Sequence, residues 1–433
     1  GDGLILRRGE RSDADGLAGL YGDIFGQEPG ESEEAIRAYV CDLTSTRHPT
    51  VQPSDFTLVE DTRTKTIVSA LCLISQTWTY AGIPFGVGRV EMVATRPEVR
   101  RRGLVRAQFE VVHRWSEERG HKMQVITGIP NYYRQFGYEM AMELEGGRGC
   151  YPPQVPKLKE GEEEPFRLRP GKVEDIPFLS QVYDAATRRK MIACPFDEAM
   201  WRYELSGRTE RSDARRAVCI IETREGEPVG YVAHVPWIHH QALPAIGYEL
   251  KEGVSWLAVT PTVLRYLDAT ARQYAAQDPR ESYQALQFWF GGEHPLYQVL
   301  RRGLPWTHGP YAWYIRIADV ADFLRYIAPV LEQRLAQSYA AGHSGELRLS
   351  FYRSGLRLAF ERGKLAAVEP WDPVAHRTSA AFPDRTFTKL LVGYQNTDEL
   401  CASFPDCRIN SDEARVLLDT LFPKQSSHIW VVA

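Results

Sequence analysis

The chain opens twice in the same way. Leu4–Arg8 (LILRR) leads into Arg11-Ser-Asp-Ala-Asp15 and a helix-like run, and Phe166–Pro170 (FRLRP) leads into Lys172-Val-Glu-Asp-Ile176 and another. Each opening reads as a short strand, a turn with capping acids and an amphipathic helix. The likeness reads as a degenerate internal duplication; chance similarity is the competing reading, since strand–turn–helix openings are common. At roughly 150 residues per domain, 433 residues leave room for a third unit. Tyr151–Pro165 (YPPQVPKLKEGEEEP) lacks apolar periodicity and reads as a linker. A softer change lies near Ile317–Asp322. The expected divisions are therefore 1–155, 156–318 and 319–433.

Composition excludes several classes. The 52 basic and 56 acidic residues give a net charge of −4, so no global basic field draws the chain to nucleic acid or anionic lipid. No apolar run approaches the roughly 18 residues of a membrane helix. The seven cysteines are scattered without a C-x-x-C pair, which argues against a disulfide framework and a zinc site. Gly1–Glu10 is charged where a signal peptide has an apolar run, so the expected location is cytoplasmic. His239 and His240 are adjacent; on a strand they would point to opposite faces, so no metal is expected. Gly82–Gly88 (GIPFGVG) precedes a strand and lacks the context of a dinucleotide loop.

Within the first unit, Phe56–Glu60 and Ile67–Thr77 read as paired strands and Ala81–Gly86 as a turn. Arg89–Thr95 reads as a buried strand that stops at Arg96-Pro97. A helix begins near Gly103, with Leu104, Ala107, Val111 and Trp115 at helical spacing, and Gln124–Thr127 is the next strand. The informative stretch is Val93–Val105 (VATRPEVRRRGLV). A strand ends, a basic loop follows, and a glycine opens a helix. Unpaired N–H groups and the dipole at the helix start form an anion cradle. Gly103 removes a side chain from the approach, while Arg100, Arg101, Arg102 and Arg106 supply charge for a multiply phosphorylated ligand. A solvated basic loop before an ordinary helix is the alternative. Downstream, Asn131–Tyr138 (NYYRQFGY) supplies an aromatic group that is either core or functional.

These segments resemble the acetyl-CoA loop and the downstream tyrosine motif of the GNAT acetyltransferase superfamily. Arg100 and Gly103 match the usual Arg/Gln-x-x-Gly-x-Gly/Ala, while Val105 departs from it. The triple arginine before Gly-Leu is similar to the enhanced intracellular survival (Eis) branch. The resemblance implies that Met92, Val93, Ala94 and Thr95 pair with the pantetheine arm of acetyl-CoA. Arg100, Arg101, Arg102, Gly103, Leu104 and Val105 would hold its pyrophosphate, and Gly128, Ile129 and Asn131 would also touch it. Tyr133 takes the place of the general acid that protonates the leaving thiolate.

The same resemblance extends over most of the chain. It implies tandem GNAT folds, each a mixed central sheet flanked by helices, followed by an α+β domain like a sterol carrier protein. The second unit would lack the cofactor loop, because its expected strand Val254–Val259 leads into Thr260-Pro-Thr-Val-Leu-Arg265 without an arginine-rich glycine turn. In the third, Glu346–Phe351 and Leu356–Phe360 read as a hairpin and Ser411–Leu421 as a capped helix. The family uses its C-terminal carboxylate as general base, which would be that of Ala433, although family members commonly end in an aromatic residue; Glu91 is the internal substitute. Phe25 and Glu28 fall where the family lines its site for a cationic acceptor: an aminoglycoside, a polyamine or a lysine side chain. The implied activity is acetyl-CoA-dependent N-acetylation without a metal, in a homohexamer. The alternative is a non-catalytic carrier of CoA or lipid.

Overall fold

The computed structural model describes residues 3–26, 31–45, 47–373, 377–383 and 385–430. The first unit begins with β1 (Leu4–Arg8), α1 (Ala14–Phe25) and α2 (Glu31–Thr44). An antiparallel run of β2 (Phe56–Asp61), β3 (Thr66–Tyr80) and β4 (Ile83–Thr95) follows. The β3–β4 connection is tighter than the stretch Ala81–Gly86 suggests. Ala81 (φ 45°) and Gly82 (φ 90°) both take left-handed conformations, which close a two-residue hairpin, and β4 starts at Ile83. α3 (Leu104–Glu118) crosses back to β5 (Met123–Ile126), which lies parallel to β4. Its buried side chains are Gln108, Phe109, Val112, Trp115 and Ser116 rather than the stripe through Ala107, which is exposed. The reason is Gln108: its amide accepts from Ser69 Oγ (2.7 Å) and donates to the Thr57 carbonyl (2.9 Å), turning that face of α3 onto β2 and β3. β6 (Glu139–Leu144) and β7 (Gly147–Cys150) come next.

The second unit repeats the plan with β8 (Phe166–Pro170), α4 (Ile176–Thr187), β9 (Ile192–Ala193), α5 (Glu198–Arg202), β10 (Ala217–Thr223), β11 (Pro228–His234) and β12 (Ala242–Leu250). Then come α6 (Trp256–Gln277), β13 (Ala285–Phe288), β14 (Trp306–His308) and β15 (Tyr311–Arg316). The expected strand Val254–Val259 is instead the start of α6. Ser255 Oγ caps it by accepting the Ala258 N–H, and this local cap outweighs the β-branched composition. The likeness of the two openings is physical. Arg7 bridges Asp13 (2.7 Å) and Glu60 (2.8 Å), and Arg169 bridges Asp175 (2.7 Å) and Glu222 (2.6 Å). Each aspartate also accepts the N–H that starts its turn, from Glu10 and Lys172.

The two sheets exchange strands. Their orders are β1-β2-β3-β4-β5-β15-β6 and β14-β7-β13-β12-β11-β10-β8, with β9 added against β3. In the first sheet β15, from the far end of the second unit, sits between β5 and β6. In the second, β7 sits between β13 and β14. Two glycines let β7 thread this gap: a Cβ on Gly147 would lie 2.0 Å from the Phe288 carbonyl oxygen, and one on Gly149 2.2 Å from the Trp306 ring. The exchange crosses the linker Tyr151–Pro165.

A third sheet, ordered β18-β17-β16-β19-β20, comprises β16 (Gly345–Ser350), β17 (Gly355–Glu361), β18 (Lys364–Trp371), β19 (Ala380–Ala381) and β20 (Arg408–Ile409). The hairpin and the Ser411-capped helix over Asp412–Leu421 fall where the alternation and capping signals put them. This unit is pinned to the first by Lys389, whose ammonium donates to the Met140 carbonyl at 2.6 Å, and by Tyr80 Oη on the Leu391 carbonyl at 2.7 Å. The chain then runs over the second unit. The Met191 N–H meets the Ser426 carbonyl, and Trp430 packs among Tyr183, Phe196, Trp201 and Tyr231. Among the described residues, no helix is long and apolar enough to cross a membrane.

Candidate active site

A bulge shapes the cofactor strand. Cys72 pairs with Glu91 and Ala70 with Ala94, so Met92 and Val93 oppose Leu71 alone, and Met92 is turned to φ 57°. β4 pairs with β5 only from Val87 to Arg89. Beyond Arg89 the parallel strands part, leaving the β5-facing backbone of Val90–Thr95 without a strand partner. The resulting slot can accept an amide-bearing arm along its edge.

The loop above the slot presents a helix start. Arg101 (φ 62°) and Gly103 (φ 76°) are left-handed, and the first helical bond runs from the Ala107 N–H to the Gly103 carbonyl. The N–H groups of Leu104, Val105 and Arg106 therefore point outward past the helix end. Nothing lies within 4 Å of where a Gly103 Cβ would be. Arg100, Arg101, Arg102 and Arg106 are exposed around it. Arg100 donates to the Thr95 carbonyl (3.1 Å), and Arg106 reaches Gln135 (2.9 Å) over the Phe136 ring. This open groove brings together Phe25, Val93, Ala94, Thr95, residues Arg100 to Val105, and Ile129. Met92 lies behind it, its side chain buried in the core beneath α1. Gly128 and Asn131 are exposed beyond Ile126, the last residue of β5, and they flank Ile129.

Tyr133 lies in a 3₁₀ turn (Tyr132–Phe136) held between left-handed Asn131 and Gly137. It is 3% exposed and wedged against Phe109, Tyr132 and Tyr314. Its hydroxyl is 3.6 Å from the Cβ position of Gly128, on the loop that follows β5. Burial, aided by the negative charge of Glu91, holds its proton well above the ordinary phenol range, so the group is a donor at neutral pH. Glu91 itself is ion-paired with Arg89 at 2.8 Å. Its charge also reaches the buried Tyr21 and Tyr39 hydroxyls, and Phe25 stacks on Tyr21 at 5.9 Å. On the α1 side the groove is bordered by Ile24 and Phe25, and Tyr21 is buried beneath Phe25. Glu28 and Ala433 lie outside the described residues.

The sequence reading missed Tyr311 and Tyr314. Both come from β15, and nothing local in Tyr311–Arg316 marks a strand that will cross into the other sheet. The Tyr311 hydroxyl donates to the Gly128 carbonyl, and Tyr314 Oη accepts the Asn131 N–H at 2.8 Å. In the second unit the turn between β12 and α6 carries no arginine, and Gly247 of β12 is covered by Trp430, 3.1 Å from its Cβ position. The histidine pair needs a correction: His239 and His240 lie in a turn, with His240 at φ 47°, so their rings meet at 4.3 Å instead of facing apart. Among the described residues no three His, Cys, Asp or Glu side chains converge as a metal site.

Residues 6–141 match the model of the acetyltransferase (GNAT) domain family. No curated protein matches the chain in sequence. Solved structures share the fold, three of them as follows. One is a conserved protein of unknown function from Enterococcus faecalis V583, a probable N-acyltransferase (TM-score 0.69, 13% identity, 99% of each chain covered). Another is a GCN5-related N-acetyltransferase from Anabaena variabilis (TM-score 0.65, 14% identity, 98% of this chain and 99% of that one). The third is Eis1 from Mycobacterium abscessus (TM-score 0.60, 13% identity, 99% of each).

Proposed function

Taking as premise that residues 6–141 are a GNAT acetyltransferase domain and the chain an N-acetyltransferase, we propose that it moves the acetyl group of acetyl-CoA to an amine of a cationic acceptor. The observation that carries this is the anion cradle at Arg100–Val105, which shares one groove with Ile129 and Tyr132, with the buried, protonated Tyr133 directly behind Tyr132. The pyrophosphate fits the outward N–H groups of Leu104–Arg106 and the room above Gly103. The pantetheine fits the open edge of Val90–Thr95, and the thioester then lies by the Tyr133 hydroxyl. The neutral amine nitrogen attacks the carbonyl carbon, the C–S bond breaks, and Tyr133 gives its proton to the departing sulfur. The amine's own proton leaves to a carboxylate: the chain end at Ala433, or Glu91 after release from Arg89. We assign Phe25, which lines the groove, and Glu28 to the acceptor site, since an aromatic face and a carboxylate suit an ammonium group.

We further assign residues 319–433 to a sterol-carrier-like domain, the site to a cytoplasmic enzyme and the assembly to a homohexamer, which light scattering would test. A lipid-carrying role is disfavoured because Leu347, Leu349, Leu358 and Phe360 fill the inner face of the third sheet. The deciding experiment follows acetyl-CoA consumption by the purified chain with polyamines, aminoglycosides and lysine peptides. Amine-dependent release of CoA is expected. CoA binding without turnover for any amine, or a retained lipid with no CoA affinity, would overturn the proposal.

A further inference from the structure

We infer that Tyr314, together with Tyr311, positions Tyr133 for catalysis, so that the second unit supplies part of the first unit's active site through the exchanged strand. The inference rests on the acetyltransferase reading above.

The loop between β5 and Tyr133 depends on two left-handed residues, Gly128 (φ 110°) and Asn131 (φ 61°). Asn131 is not glycine; asparagine enters this region more readily than other side chains, yet the conformation stays uncommon and gains from neighbours that fix it. Both residues are exposed, and their backbone groups could be left to water. They are instead taken at both ends of the loop: the Gly128 carbonyl by the Tyr311 hydroxyl and the Asn131 N–H by Tyr314 Oη. The two tyrosine hydroxyls also interact with each other. The Tyr314 ring stands edge-on to Tyr133, centroids 5.8 Å apart.

The ladder is arranged to put them there. Trp313 and Tyr314 pair with Met142 and Met140, so Ala141 of β6 is skipped and the regular alternation is reset at that point. Trp313 faces the opposite core against Trp78, while Tyr311 and Tyr314 join the cluster around Tyr133. Neither tyrosine is given a chemical step. They are positioning residues, acting through the backbone of residues 128–131 on the placement of the Tyr133 hydroxyl, and a displacement of about 1 Å there is enough to lose orders of magnitude in rate.

Tyr314→Phe and Tyr311→Phe remove one hydroxyl each and keep the ring packing, so both variants fold. Hydrogen exchange of the 127–133 segment and steady-state kinetics are measured side by side. Losing one hydrogen bond of about 1 kcal/mol should speed exchange of that segment roughly five- to tenfold, with the rest of the chain unchanged. In Tyr314→Phe, kcat should fall about tenfold while KM for acetyl-CoA stays within about twofold. Tyr339→Phe, on the exposed surface of the third unit, should change neither. Unchanged exchange in that segment, or an unchanged kcat in Tyr314→Phe, would overturn the inference. A wild-type chain inert toward acetyl-CoA would instead sink the acetyltransferase reading, and the exchange rates would still decide whether the loop is latched.

Discussion

Tyr133 concentrates the chemistry into one hydroxyl. Its burial and the nearby Glu91 charge keep it protonated across the neutral range, so it gives up a proton only to a strong base such as a departing thiolate. Tyr133→Phe keeps the aromatic wedge against Phe109 and Tyr314 and removes only the proton. Turnover should drop by about 10² to 10⁴, with CoA affinity by calorimetry within about twofold of wild type. Full turnover in this variant would move the acid elsewhere. Residue-level legibility follows from locality. Arg100–Val105 could be read because a strand stop, a run of charge and a helix-opening glycine are adjacent in sequence. Glu91 could be placed on the cofactor strand, and its i, i+2 spacing puts it on the same face as Arg89, but the bulge at Met92–Val93 that follows is not announced by any spacing of residues.

At the level of elements, α3 carries the cradle and is held in place by the Gln108 bonds to β2 and β3. Gly103→Ala tests the cradle directly. The new methyl meets no atom, so the penalty is the left-handed backbone alone, roughly 1–2 kcal/mol of stability. The methyl also stands where the pyrophosphate approaches, so KM for acetyl-CoA should rise about tenfold with little change in kcat. A KM that does not move would mean the phosphates bind elsewhere. Elements with strong local signals were legible: β4, α3, the third-unit hairpin, and the helix after Ser411. Those decided by distant pairing were not. β7 reads GRGC, without β-forming side chains, and is a strand only because β13 and β14 leave a gap of its width. The misreading of Val254–Val259 shows the converse, where one serine cap outweighed a run of valine and tryptophan.

For the whole molecule, buried histidines set the response to acid. Burial depresses His113 and His121 to about 4 and His48 and His428 to about 3, against about 6.5 in an unfolded chain. The folded values lie below the unfolded one, so the unfolded chain takes up protons first as the pH falls. Stability is full above about 6.5 and drains away toward pH 4. The thermal midpoint should therefore fall steeply between pH 6.5 and 4.5, and His113→Gln should show a shallower slope; parallel curves would reject the assignment. The strand exchange has a consequence in time. Arg316 of β15 bonds Gln124 of β5 across 192 residues, so the first sheet holds an open place until most of the chain has left the ribosome. Until then β5 and β6 present unpaired edges, a template for the wrong partner. Neither half can be made alone as a finished module. A gene cut at the linker would yield two sticky fragments, and the order of synthesis becomes part of what the nascent chain must survive.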